Sequence, residues 1–321
     1  MDTPYVIGVD MGGTNTAVGI VDRRGYILYR SSISTNEYTT GEDYIEALGN
    51  AINDLVNNNQ IANQIRGIGM GVPNGNMNDG TIEKAANIPW AKSAVVPLAA
   101  MLTQRTGFRC KLTNDANAAA LGEMIYGAAK GIKDFIVITL GTGVGSGIVS
   151  NGQLIIGHDG FAGELGHTIT IRHNGRLCGC GRNGCLETYA SATGVARTAR
   201  ELLELNRETK SLLREINYRP ITSKDVYEAA KKGDALAIDV FNFTGSLLGE
   251  AIANFIAFSS PKAIILFGGL AHSGQFLIEP LKKSIDSHIL NIYEGKTEII
   301  ISELNDAEAA ILGASALAWE A

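Results

Sequence analysis

Cysteine is scarce in this 321-residue sequence: there are four, and three of them fall between positions 178 and 185. That scarcity argues against a disulfide-built scaffold and for a reducing compartment. A basic excess is missing too. The 27 Lys and Arg against 33 Asp and Glu leave a net charge of −6, which removes the electrostatic case for nucleic acid or a membrane surface as partner. No uninterrupted apolar run approaches the roughly 20 residues of a membrane span. Met1-Asp-Thr-Pro-Tyr5 shows neither a basic leader nor a cleavage site. These absences predict a cytoplasmic protein. Neither GxxxxGK[ST] nor a Rossmann GxGxxG stands in its proper context, which disfavours a P-loop enzyme or a dehydrogenase. What is present, 45% hydrophobic and 19% charged residues, fits an ordinary globular chain long enough for about two domains.

A repeat organises the chain. Tyr5 to Asp22, with Asp10-Met-Gly12-Gly13-Thr14 at its centre, reads as strand, tight turn, strand, followed after Arg23-Arg24-Gly25 by a third strand from Tyr26 to Ser31. Phe135 to Ser150 has the same form around Gly141-Thr142-Gly143, and Asn151-Gly152 supplies a hairpin turn. Amphipathic helices are expected over about 41–59, 190–215 and 233–259. A buried strand, Lys262 to Phe267, runs into Gly268-Gly269, and Asp306 to Trp319 reads as an Ala-rich helix. With no linker between them, two halves on one plan should pack around a cleft.

Each Gly-rich turn taken singly is as easily structural as functional. Together they offer unobstructed backbone N–H groups, as a polyphosphate requires. Gly12, Gly13 and Thr14 would cradle the terminal phosphates from one half and Gly141, Thr142 and Gly143 from the other, with Gly268 and Gly269 against the adenosine. Asn114-Asp115 follows a strand from Arg109 to Leu112 and opens an Ala-rich helix. Either residue could be a helix cap, but phosphoryl transfer to a hydroxyl needs one carboxylate in reach of that hydroxyl, and Asp115 is the candidate base. Asp10 is the second acid, placed to hold Mg²⁺ directly or through water. Asn87, in Ala-Ala-Asn87-Ile-Pro-Trp90, is a turn residue or a hydroxyl-reading amide.

Cys178-Gly-Cys180-Gly-Arg-Asn-Gly-Cys185-Leu-Glu187 follows Gly163-Glu164-Leu-Gly-His167. One His and three Cys form a closed tetrahedral zinc set, normally structural. A disulfide would leave an odd cysteine over. Glu164 and Glu187 flank the set; with Asn87, Asn114 and Asp115 they resemble the acid-and-amide lining of a polyol site, although Glu187 could equally be a solvated residue at a helix start.

In order and spacing, Asp10-x-Gly-Gly-Thr14, Asn114-Asp115, Leu-Gly-Thr-Gly-Val-Gly, Glu164-x-Gly-His167, the Cys-x-Cys-Gly-x-x-Gly-Cys-Leu-Glu187 loop and Gly268-Gly269 resemble the ROK family of bacterial sugar kinases and sugar-responsive repressors. The resemblance covers essentially the whole chain. It implies an α/β, actin-like ATPase (ribonuclease H-like duplicated) fold, with a smaller domain of 1–113 plus the helix at about 306–321 and a larger domain of 114–305. It also implies ATP, Mg²⁺ and structural Zn²⁺, and assembly as a homodimer or homotetramer. Asp115 would then be the catalytic base; Asn87, Asn114, Asp115, Glu164, His167 and Glu187 would contact the sugar; and His167, Cys178, Cys180 and Cys185 would hold zinc. The expected reaction is phosphorylation of a hexose at its 6-hydroxyl, glucose first, with fructose, allose, mannose or N-acetylmannosamine as alternatives. A non-catalytic sugar sensor is the other class. Family repressors carry a helix-turn-helix domain ahead of this fold, for which a first strand beginning by Tyr5 leaves no room. At one place the pattern departs: Gly71-Val-Pro73-Asn74-Gly75 has Asn where the family suggests Gly.

Overall fold

The computed structural model describes residues 3–319, so positions 320 and 321 of the expected C-terminal helix lie outside the described residues. One five-stranded sheet has the order Ile27–Ser34, Asn15–Asp22, Tyr5–Met11, Ile65–Gly71, Cys110–Thr113. Its first three strands are antiparallel and the last two join in parallel. A second five-stranded sheet repeats that order with Gln153–Leu154, Val144–Ser150, Phe135–Leu140, Ala263–Phe267 and Glu298–Ile301. There, Ala263–Phe267 runs parallel to both of its neighbours. Asn151 and Gly152 take φ of 52° and 76°, the left-handed pair that a two-residue hairpin turn demands.

By compactness the chain divides into a unit of residues 1–133, 147–163 and 303–321 and a unit of 134–146 and 164–302. The helix Asp115–Ile125 groups with the first unit instead of opening the second, as a boundary after 113 would have it. The reason is packing: Gly122 lies against the backbone of Gly313 in the C-terminal helix Asp306–Trp319.

In the first unit, Val6, Ile7, Val9 and Met11 are all buried, as a central strand covered on both faces must be. Helix Gly41–Asn58 covers one face through Tyr44, Ile45, Leu48 and Ile52. The C-terminal helix covers the other. Its alanines allow so close an approach that a Cβ at Gly8 or Gly69 would overlap the carbonyls of Ile311 and Ala314.

In the second unit, helix Ala235–Ser259 packs on Gln275–His288, with Phe241 and Phe276 ring centroids 6.1 Å apart. By length and composition that 25-residue helix could cross a membrane, but 61% of its most apolar stretch is buried inside the protein. The helix expected over 190–215 is Ala192–Leu205, stopped by Asn206. Both the backbone N–H and the side-chain amide of Asn206 donate to Leu202 O, closing the last turn.

Candidate active site

In the first unit the C-terminal ends of three strands present the polar groups. Tyr5–Met11 carries Asp10, whose carboxyl is raised above the usual range by burial. The turn after it is closed from within: Gly12 N–H donates to Asn15 O at 3.0 Å, and Thr14 O accepts from Thr35 N–H at 2.7 Å. Below the turn the buried Thr16 hydroxyl meets Thr35 Oγ1 at 2.9 Å and Tyr44 OH at 2.8 Å. Trp90 packs on Tyr44 with centroids 5.2 Å apart, which fixes the loop that carries Asn87. Asn87 is exposed and lies against Gly13. Among the described residues these contacts bring Gly12, Gly13, Thr14 and Asn87 to one place.

Cys110–Thr113 delivers Asn114 and Asp115. Asn114 is the N-cap of helix Asp115–Ile125, its Oδ1 accepting from Asn117 N–H at 2.8 Å. Capping therefore occupies the Asn114 oxygen and leaves its NH₂ to donate. Asp115 is the first residue of the helix, and its side chain opens to solvent on one side. Protein crowds the other side. Burial, and then the negative charge of Asp10, push its carboxyl up to about 7. A carboxylate poised there can take a proton from a hydroxyl near neutral pH.

The loop at 71–75 accounts for the departure from the family pattern. Asn74 has φ of 50°, the left-handed region that Asn tolerates best after Gly. Its side-chain amide donates to Lys84 O at 3.2 Å, and its carbonyl accepts from Glu83 N–H at 3.2 Å.

In the second unit the metal-ligand set is assembled by a hairpin in which Cys178 N–H donates to Arg182 O and Gly184 N–H to Arg176 O. Gly184 has φ of 83°, and a Cβ there would sit 1.9 Å from Ile171 O, so the turn requires glycine. The ligand atoms of His167, Cys178, Cys180 and Cys185 lie within 4.8 Å of one another. Cys178 Sγ is 3.6 Å from His167 Nδ1, and Cys180 Sγ is 3.6 Å from Cys185 Sγ. Ligands bound at zinc distances in a tetrahedron stand about 3.8 Å apart, whereas a disulfide requires about 2.05 Å. All four cysteines are free. The donor set fits Zn²⁺. His167 would bind through Nδ1, since its Nε2 faces the other way, 3.9 Å from Glu164 Oε2.

Glu187 opens the short helix Glu187–Ala190. Its Oε2 accepts from Val144 N–H at 3.1 Å, and its Oε1 lies 3.6 Å from Cys178 Sγ. Gly141 and Thr142 are exposed at the tip of the turn, where Gly141 N–H donates to Gly143 O. Gly268 and Gly269 adjoin them, with Leu270 N–H donating to Leu140 O.

Sequence reasoning missed Arg176. Its guanidinium is buried and bonds Glu201, Thr198 Oγ1 and the carbonyls of Thr188 and Gly194, while stacking 4.4 Å from the Tyr189 ring centroid. Nothing in the local pattern marks it, because every partner of the guanidinium is 12 or more residues away.

Two five-stranded sheets of the same order, with a Gly turn after the first strand of each, define an actin-like ATPase fold. The model of the ROK family matches residues 6–321. A glucokinase of Halalkalibacterium halodurans is 37% identical over 98% of this chain and 94% of its own length. A xylose repressor of Caldicellulosiruptor bescii is 30% identical over 98% of this chain and 78% of its own. The crystal structure of a ROK family glucokinase from Streptomyces griseus, in complex with glucose and AMPPNP, superposes with a TM-score of 0.79 at 33% identity, covering 99% of this chain and all of that one. The chain belongs to the ROK family.

Proposed function

We propose that this protein is an ATP-dependent sugar kinase that converts glucose to glucose 6-phosphate. The observation that carries the reading is Asp115: a carboxyl at the start of a helix, at a strand end, raised to about 7 by burial and by Asp10. The Halalkalibacterium and Streptomyces relatives support both the activity and glucose as acceptor.

Asp115 takes the proton of the sugar 6-hydroxyl as that oxygen bonds to the γ-phosphorus of ATP; the bond from phosphorus to the bridging oxygen breaks and ADP leaves. Because the transition state is loose, positioning and charge neutralisation do most of the work, and the base only needs to be ionised. The turns at 12–14 and 141–143 hold the phosphates, and Gly268-Gly269 lies along the adenosine. Asp10 would hold Mg²⁺, which when bound neutralises phosphate charge. Asn87, the Asn114 amide, Glu164, His167 Nε2 and Glu187 read the sugar hydroxyls. Zn²⁺ on His167, Cys178, Cys180 and Cys185 is structural and fixes the His167 ring, so that Nε2 is presented to substrate and Glu164.

The net charge of −6 supports small molecules as partners, with neither nucleic acid nor membrane involved. A cytoplasmic location, which rests on the scarce cysteines and the missing leader and membrane run, and a homodimer or homotetramer, which rests on the family resemblance, belong to the same reading. The test is ATP-dependent phosphorylation of glucose, mannose, allose, fructose, N-acetylglucosamine and N-acetylmannosamine, compared by kcat/KM. Preference for glucose is expected. Preference for another sugar would move only the hydroxyl-reading assignments; sugar binding with no turnover on any of them would favour a sensor, the function that the related repressor's name indicates.

A further inference from the structure

The turn at 141–144 does not stand by itself. Three successive bonds fasten it to the segment that leaves the metal hairpin. Val144 N–H donates to Glu187 Oε2 at 3.1 Å, Gly141 O accepts from Ala192 N–H at 2.8 Å, and Thr142 O accepts from Thr193 Oγ1 at 2.9 Å. Thr193 Oγ1 is itself 2.9 Å from Ser191 Oγ. The fit is close: a Cβ on Gly143 would lie 2.3 Å from Glu187 Oε2. The segment 187–194 is in turn tied back to the root of the hairpin. Arg176, two residues before Cys178, donates to the carbonyls of Thr188 and Gly194 at 2.7 and 3.4 Å, and Glu187 Oε1 lies 3.6 Å from Cys178 Sγ.

We infer that Thr193 is a positioning residue for the phosphate-binding turn, and that segment 187–194 links occupancy of the metal set to nucleotide affinity. The inference rests on the kinase reading and deepens it. A turn exposed at its tip owes its conformation to what grips its carbonyls, and here the grip comes from the chain that the metal ligands fix. Order imposed on the hairpin is passed to the turn through Arg176, Glu187 and Thr193. Linkage is reciprocal, so nucleotide on the turn must stabilise the metal set by the same factor.

The experiment uses full-length protein loaded with zinc. Dissociation constants for a non-hydrolysable ATP analogue and for glucose are measured by calorimetry on the wild type, Thr193→Val and Thr193→Ser, with zinc content and thermal midpoint recorded for each. Thr193→Val should weaken the nucleotide about fivefold, the weight of one neutral hydrogen bond. Glucose affinity and zinc content should stay within twofold of wild type, and Thr193→Ser should restore nucleotide binding. In the wild type, the nucleotide analogue should slow zinc release to a chelator. Unchanged nucleotide affinity in Thr193→Val would overturn the inference alone, as would parallel loss of glucose and nucleotide with a lowered midpoint, the mark of a merely structural role. If Thr193→Val does not fold, the rate of zinc release decides: indifference to nucleotide would overturn the link. A wild type that binds no nucleotide would overturn the kinase reading, and this inference with it.

Discussion

Replacing Asp115 by Asn separates chemistry from stability in one variant. Asp115 has an ordinary carboxyl value of 3.8 and is raised to about 7, first by burial and then by Asp10. As a base it must be ionised, so kcat/KM of the wild type should climb through pH 7 and level above it, with about nine-tenths of the base ionised at pH 8. Asn cannot accept the proton, and loss of a general base costs about 10²–10⁴-fold in turnover, while glucose should still bind. Stability should move the other way. A carboxyl raised in the folded state contributes its full share below the unfolded value near 4, and that share is lost as pH rises through 7. The raised value corresponds to about 4 kcal/mol as a ceiling. The side chain is more than a third exposed, so water screens it, and about 1–2 kcal/mol is the expected cost of ionisation. Asp115→Asn has no such cost. Its thermal midpoint relative to wild type should therefore rise between pH 4.5 and pH 8, measured without Mg²⁺ or nucleotide. Retained turnover, or a gap that shrinks as pH rises, would refute the placement of Asp115 as a base with a raised carboxyl beside a second acid.

The remaining predictions follow from contacts equally specific. Asp10→Asn removes the neighbouring negative charge, so the acidic limb of the pH–rate profile should shift to lower pH; an unmoved limb would separate the two carboxylates. Cys180→Ser should lose zinc, seen by metal analysis, and then weaken glucose binding, whereas a zinc-free protein with unchanged KM would make the metal incidental. Gly143→Ala places a methyl on Glu187 Oε2 and should raise KM for ATP; unaltered kinetics would show that the carboxylate moves aside freely. Asn74→Gly should be near neutral because glycine accepts φ of 50°, while Asn74→Ala should cost about 1 kcal/mol in urea unfolding.

What the sequence made legible is what local chemistry dictates. The hairpins announce themselves by near-continuous apolar runs that end in Gly turns, and Asn151-Gly152 takes the two positive φ values that its residue types favour. The metal set is written in ligand type and spacing, and its atoms do converge. Asn114 was ambiguous between cap and site residue because one amide can serve both: its oxygen caps, and its NH₂ remains. The helix expected to run to 215 ends at Leu205, where the apolar spacing itself lapses over Asn206 to Ser211, and the closing bonds of Asn206 have no periodic signature. Arg176 and Thr193 were invisible for a different reason. Thr193 meets Thr142 across 51 positions of sequence, and the value of such a contact exists only once the chain has folded.

The repeated plan also has an asymmetry that bears on how the two turns work. Both close on themselves, Gly12 N–H to Asn15 O three residues on and Gly141 N–H to Gly143 O two residues on. Each is then backed by a different loop. Behind the first stand Asn87, in contact with Gly13, and the Trp90–Tyr44 stack; behind the second stand Glu187 and Thr193 on the segment leaving the metal hairpin. Each turn thus touches one of the two side chains proposed above to read sugar hydroxyls. On the proposed reading, in which these turns take the phosphates, a sugar that orders Asn87 or Glu187 lowers the entropy that the turn beside it must lose on binding nucleotide. Sugar and nucleotide affinities should therefore be linked within each unit, through contacts already present in the protein itself.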